Sequence, residues 1–194
     1  MSARISAASL SALLFAACAG GSPPPRVPLT PVPGKLVPIG ETLVGAVTAR
    51  GVQIYECRAR GDSIGAEWTF VAPEADLYDE QGRRAGRHFA GPSWDAGDGS
   101  RIAGTTQASA VAPRPDSIPW LLLQTHSVGG SGRFAAVTSV QRIETAGRTA
   151  PDAGCTPARI GRTVRVPYAA VYAMYSKGIT TSGAGAGAAK ASPT

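Results

Sequence analysis

Short apolar stretches alternate with Gly, Pro and Asp from Lys35 to Tyr175, and this pattern restricts the fold more than any other feature of the chain. The clearest example is TVRVPYAAVYAMY, where alternate residues are apolar: Val164, Val166, Tyr168, Ala170, Tyr172 and Met174. A period of two puts such residues on one face of a β-strand, with Arg165 and Pro167 on the other. Turn residues recurring about every ten positions favour an antiparallel all-β domain.

The segment 35–175 contains enough such stretches for about eight or nine strands in one β-sandwich-like domain. A domain of this size can bury its own core without a metal. The stretch PWLLLQ, which begins at Pro119, is apolar on both faces, so we expect a strand covered on both sides.

Residues 1–18 have the layout of a secretory signal peptide, with Arg4 followed by an apolar stretch from Ile5 to Phe15. That stretch is too short to span a bilayer. Two cleavage chemistries remain open. In the first, FAAC resembles the lipobox of bacterial lipoproteins and ends at Cys18, although Phe15 stands where Leu, Val or Ile is usual. In the second, Ala17-Cys18-Ala19 is a site for ordinary signal peptidase, which would release a soluble protein. A cysteine that closes the apolar stretch favours lipidation of Cys18.

Two further segments flank the domain. The Pro/Gly-rich linker 19–34 suits a semi-rigid spacer, and the Gly/Ala/Ser-rich tail 176–194 is expected to be disordered. Together these features predict an exported protein at the periplasmic or outer surface, with no contact to the membrane except a lipid anchor.

Cys57 and Cys155 remain once Cys18 is assigned to the signal. In an oxidising compartment an even pair predicts a disulfide, and two buried free thiols are the alternative.

The formal net charge is +6, but the basic residues are scattered, and the densest cluster, GRRAGRH, begins at Gly82. This distribution favours weak attraction to an anionic envelope or polysaccharide over nucleic-acid binding. The chain has no asparagine, which excludes an N-linked glycan.

Three local patterns imitate catalytic or cofactor motifs. Gly183–Ala188 fits a dinucleotide-binding turn, but no helix can follow it in so short a remainder, so no nicotinamide cofactor is expected. Gly61–Gly65 spells G-x-S-x-G, yet the flanking strands predict a hairpin and not a hydrolase elbow. DAGDGS lacks the acidic spacing of a calcium loop, and the histidines lack metal-ligand spacing, so no metal is expected.

The stretch RHFAGPSWDAGDGS concentrates rare residues, including His88 and Trp94. The Gly97-Asp98-Gly99 part is predicted to be a structural turn. His88 and Trp94 flank FAGP, where Gly and Pro interrupt a continuous strand. They are candidate ligand-binding residues together with Trp120 and His126. The favoured alternative is that Trp94 fills the core while His88 bonds to the backbone, because tryptophan is usually well buried.

Several separated blocks, among them GVQIYECR, WTFVAPEADLYDEQGRRAGRHFAGPSW, IPWLLLQ and VPYAAVYAMY, resemble the exported bacterial and fungal proteins of the domain of unknown function 3455 family. The similarity runs from about Pro33 to Tyr175. It implies export and one compact domain without an agreed activity. Some fungal members carry a malate dehydrogenase label, and the absence of a usable Rossmann element in this chain argues against taking that label literally.

The leading hypothesis is an envelope-associated, non-catalytic domain that binds a small molecule, a glycan or an envelope polymer, without a cofactor. The alternative is an extracytoplasmic enzyme in which His88, His126 and a carboxylate converge, and a purely structural role is the third possibility. An enzyme should bring a histidine against a carboxylate in a pocket, whereas a binder should line a groove with aromatic rings.

Overall fold

A computed structural model describes residues 31–61 and 65–178 of the chain. Two short 3₁₀ turns, Gly34–Leu36 and Pro157–Arg159, accompany eight strands within that part. The strands are β1 (Glu41–Ala59), β2 (Ala66–Tyr78), β3 (Arg84–Phe89), β4 (Ser93–Asp95), β5 (Arg101–Ala110), β6 (Trp120–Gly129), β7 (Ser139–Gly147) and β8 (Thr163–Lys177). No helix in these two ranges is long and apolar enough to cross a membrane.

The eight strands form one antiparallel sheet in chain order, which confirms the predicted all-β fold. Its closure differs from the expected sandwich, because β1 pairs with β8 as well as with β2 and the sheet closes into a barrel. β1 combines two of the predicted strands and continues through Gly51. A Cβ at Gly51 would lie 2.1 Å from the carbonyl oxygen of Glu74, so glycine permits the close approach of β1 and β2.

The barrel interior holds the main hydrophobic core. In β8 the predicted alternation is confirmed, since Val166, Tyr168, Ala170 and Tyr172 are buried while Arg165 is exposed. Residues from the other strands meet them in one cluster, which includes Val47, Leu77, Trp94, Ile102, Leu123 and Val140.

A second cluster covers part of the outer face of the barrel. Leu36, from the segment before β1, packs there with Trp120 and Ile143. The Gln141 side chain donates a hydrogen bond to the Leu36 carbonyl and fixes this segment on the sheet. This covering explains why the strand that begins at Trp120 is apolar on both faces.

Because neighbouring strands are antiparallel, the loops after β1, β3, β5 and β7 lie at one end of the barrel, here named the pocket end. The other loops lie at the opposite end. There the Asp98 carboxylate accepts hydrogen bonds from the Arg133 amide and from Ser100, and these bonds lower the pKa of Asp98 to about 2. Gly97 and Gly99 have positive φ values of 72° and 95° in the same turn.

The predicted disulfide is confirmed at the pocket end. Cys57 near the end of β1 bonds to Cys155 in the loop between β7 and β8, with Cα atoms 5.3 Å apart. Trp68 secures the same loop by donating its indole N–H to the Ala153 carbonyl at 3.0 Å. The described range thus includes both cysteines of the pair, whereas residues 62–64 of the G-x-S-x-G pattern lie outside it.

Four other sequence predictions fall outside the described residues. They concern the signal peptide with Cys18, most of the 19–34 linker, most of the 176–194 tail, and the glycine pattern Gly183–Ala188.

Candidate ligand-binding site

The stretch that concentrates rare residues forms the hairpin of β3 and β4, with a turn over residues 90–92. Gly91 and Pro92 interrupt the extended chain as predicted, but strands lie on both sides of them. The register pairs His88 directly with Trp94. Directly paired residues share a face of the sheet, so both side chains enter the barrel. His88 is 3% exposed and Trp94 is fully buried.

His88 is held as a neutral ring. It stacks on Trp94 with ring centroids 4.6 Å apart, and its Nδ1 lies 2.9 Å from the Ser93 carbonyl oxygen. A carbonyl can only accept, so Nδ1 carries the proton and Nε2 carries the lone pair. Burial lowers the pKa of His88 to about 3, well below its ordinary value.

This burial predicts an acid sensitivity of the fold. In the unfolded chain His88 takes up a proton below its ordinary pKa of 6.5, whereas the folded protein resists protonation down to about 3. Stability is therefore lost as the pH falls, and the free energy of unfolding should drop by roughly 1.4 kcal/mol per pH unit between about pH 6 and 4.5. Urea denaturation across this range measures the slope.

The matched variants for this slope are His88→Gln and His126→Gln. His88→Gln should flatten it by removing the buried titrating group. His126→Gln removes the other described histidine, whose side chain is exposed, and should leave the slope in place. If the free energy of unfolding falls equally steeply with pH in wild type and in His88→Gln, His88 is not the cause of the acid sensitivity.

A pocket of about 300 Å³ opens beside the His88–Trp94 pair. Rings from four strands wall it, since Phe70 of β2 and Tyr172 of β8 join the pair. Tyr172 meets Trp94 edge-on, with centroids 5.4 Å apart, and Phe70 is 49% exposed at the rim. The remaining wall is mainly aliphatic and includes Leu121 and Leu123 of β6.

Arg142 of β7 supplies the only charge among the pocket-lining residues that the structure describes. The register pairs it with Leu121 and Tyr172, which places its side chain on the inner face of the sheet. Its Nε and Nη2 donate to the Pro119 carbonyl at 3.1 and 2.8 Å. Its positive charge also lowers the pKa of His88, as a smaller effect than burial.

Residues 38–176 match the model of a family described as Protein of unknown function (DUF3455). The chain belongs to this family. No curated protein and no solved structure matches the chain. The matched segment of the DUF3455 domain contains β1 to β7 and nearly all of β8, so the pocket lies within the family's shared region.

The other two candidate residues of the DUF3455 domain lie elsewhere. Trp120 is buried in the outer cluster with Leu36, and His126 is exposed on the barrel exterior, next to the inward-facing Thr125. The barrel wall separates His126 from His88, so the two histidines of the enzyme hypothesis do not converge. Within the described ranges no three His, Cys, Asp or Glu residues are grouped as metal ligands.

Sequence reasoning missed Phe70, Arg142 and Tyr172 as members of this site. A usable signal exists for Arg142, because period-two alternation puts it on the same face as the core residue Val140. An arginine at a core-facing position in a strand is unusual enough to mark a site.

Proposed function

We propose that this DUF3455 domain is an exported, non-catalytic barrel that binds a small molecule with an apolar body in the pocket beside His88 and Trp94. The observation that supports it most is the wall of four rings at the pocket end. A volume of about 300 Å³ lies at the lower end of the range for small-molecule sites, which are mostly apolar with a few polar groups.

The chemistry of the lining residues supports binding over catalysis. No acidic residue lines this pocket in the described part of the chain, so His88 has no carboxylate partner there for general acid–base work. Its Nδ1 is engaged by the backbone of Ser93. In this proposal residues 1–18 direct export, and Cys18 carries the lipid that anchors the mature protein.

Filling the pocket tests the proposal. Thr106 lines the pocket and is exposed, so Thr106→Trp places a bulky ring in the opening without removing a core side chain. We expect 2-naphthalenemethanol to bind wild type with one-to-one stoichiometry in isothermal titration calorimetry. Thr106→Trp should weaken that binding by about ten-fold or more, which corresponds to about 1.4 kcal/mol.

Thr105→Trp is the matched control, because Thr105 is an exposed neighbour that does not line the pocket. It should bind the probe as wild type does. The proposal fails if wild type shows no saturable binding, or if the two tryptophan variants bind the probe equally.

A further inference from the structure

Two of the residues that line the pocket carry groups that can only donate hydrogen bonds. Arg142 uses Nε and one Nη2 hydrogen on the Pro119 carbonyl and also bonds to the Tyr172 hydroxyl, which leaves the rest of its five N–H donors for other acceptors. The second group is the Trp94 indole. Its Nε1 is buried, and no acceptor from the described residues lies within hydrogen-bond distance of it.

No Asp or Glu among the described residues lines the pocket to neutralise the charge of Arg142. Six other arginines of the described chain form ion pairs with Asp or Glu, but Arg142 is not among them. The side chain is half-buried beside rings and leucines, where an unpaired cation is costly. An anion in the pocket would remove that cost and accept from the free N–H groups.

We propose that the ligand is a small aromatic carboxylate, whose anionic group pairs with the Arg142 guanidinium while its ring packs against the aromatic wall. This inference rests on the proposed function of the pocket. A planar carboxylate matches the fork of a guanidinium, and charge-assisted bonds of this kind are about twice as strong as neutral ones. The exposed flat ring of Phe70 favours a planar partner in stacked or edge-on contact.

Two probes with the same ring test the inference. The naphthalene ring carries a carboxylate in 2-naphthoate and a neutral hydroxymethyl group in 2-naphthalenemethanol. In calorimetric titrations at low salt, wild type should bind 2-naphthoate about ten-fold more tightly than the alcohol. Added salt should reduce this preference, since it screens charge pairs that are open to solvent.

Arg142→Gln should abolish the preference, because it should weaken the binding of 2-naphthoate far more than that of the alcohol. Arg133→Gln is the control, because it removes an exposed arginine in the loop between β6 and β7, at the opposite end of the barrel. It should keep the wild-type preference.

The outcomes separate the two proposals. Equal binding of both probes to wild type overturns the carboxylate inference and leaves the pocket as a site for neutral molecules, and this result does not depend on the folding of any variant. A preference that persists in Arg142→Gln also overturns it, because another group then holds the anion. Absence of binding by either probe removes the proposed function, and the inference with it.

Discussion

Replacing Trp94 by alanine is expected to lower the free energy of unfolding by about 3–5 kcal/mol. The ring is fully buried and contacts His88 and Tyr172. It also fills the space over Gly104, where a Cβ would come within 3.1 Å of the indole. Neighbouring side chains can close only part of the cavity that the indole leaves, so its packing is lost. Urea denaturation at pH 7 measures the change, and 2-naphthalenemethanol binding should disappear with it.

Trp120→Ala separates stability from binding. Trp120 is equally large and 2% exposed, but it packs in the outer cluster and not at the pocket. Its truncation should destabilise the protein by a similar amount, while the folded fraction still binds the probe. If Trp94→Ala unfolds at the wild-type urea concentration, or if both variants lose binding alike, Trp94 does not have the double role in core and pocket wall assigned to it.

Removing the disulfide should cost about 2–5 kcal/mol, the usual loss in a small secreted domain. Cys57 and Cys155 are 98 positions apart in the sequence, so the bond restricts a long loop of the unfolded chain. In the folded protein it holds the β7–β8 loop against β1, beside the Trp68 contact. The double variant Cys57→Ala/Cys155→Ala leaves no orphan thiol of the pair, and urea denaturation without reductant measures the loss.

Reductant provides the internal control. Dithiothreitol should bring the unfolding midpoint of wild type close to that of the double variant, and should not shift the double variant. Coincident midpoints of wild type and the double variant in non-reducing buffer would show that the bond contributes no stability.

Much of the barrel could be predicted from the chain, because it depends on local signals. The alternation in β8 marked its inner face, and the paired cysteines marked the disulfide. The closure could not be predicted in the same way. Alternation is the same in a sandwich and in a barrel, since both bury one face of each strand. The difference lies in the pairing of β1 with β8, which no local pattern encodes.

The same distinction applies to the candidate site. His88 and Trp94 attracted attention because they are rare residues in a stretch rich in turn formers. Arg142 is one of 19 basic residues and Tyr172 one of five tyrosines, so neither is conspicuous by type. The register across β6, β7 and β8 brings them to one pocket, and register follows from the three-dimensional pairing of strands.

The pairing of β1 with β8 also has a consequence for how quickly the barrel can fold. Contacts between strands so distant in sequence form slowly, since the intervening chain must lose its freedom before any hydrogen bond compensates. Cys155 lies only a few residues before Thr163, the residue that pairs with Glu56 next to Cys57. Once the disulfide forms, Glu56 and Thr163, the first residue pair between β1 and β8, are connected through the bond by only a few residues. Without the bond, most of the domain lies between them in the chain. Oxidation of the pair before the sheet closes would therefore accelerate the closing, and the two strands would pair from Thr163 towards Lys177.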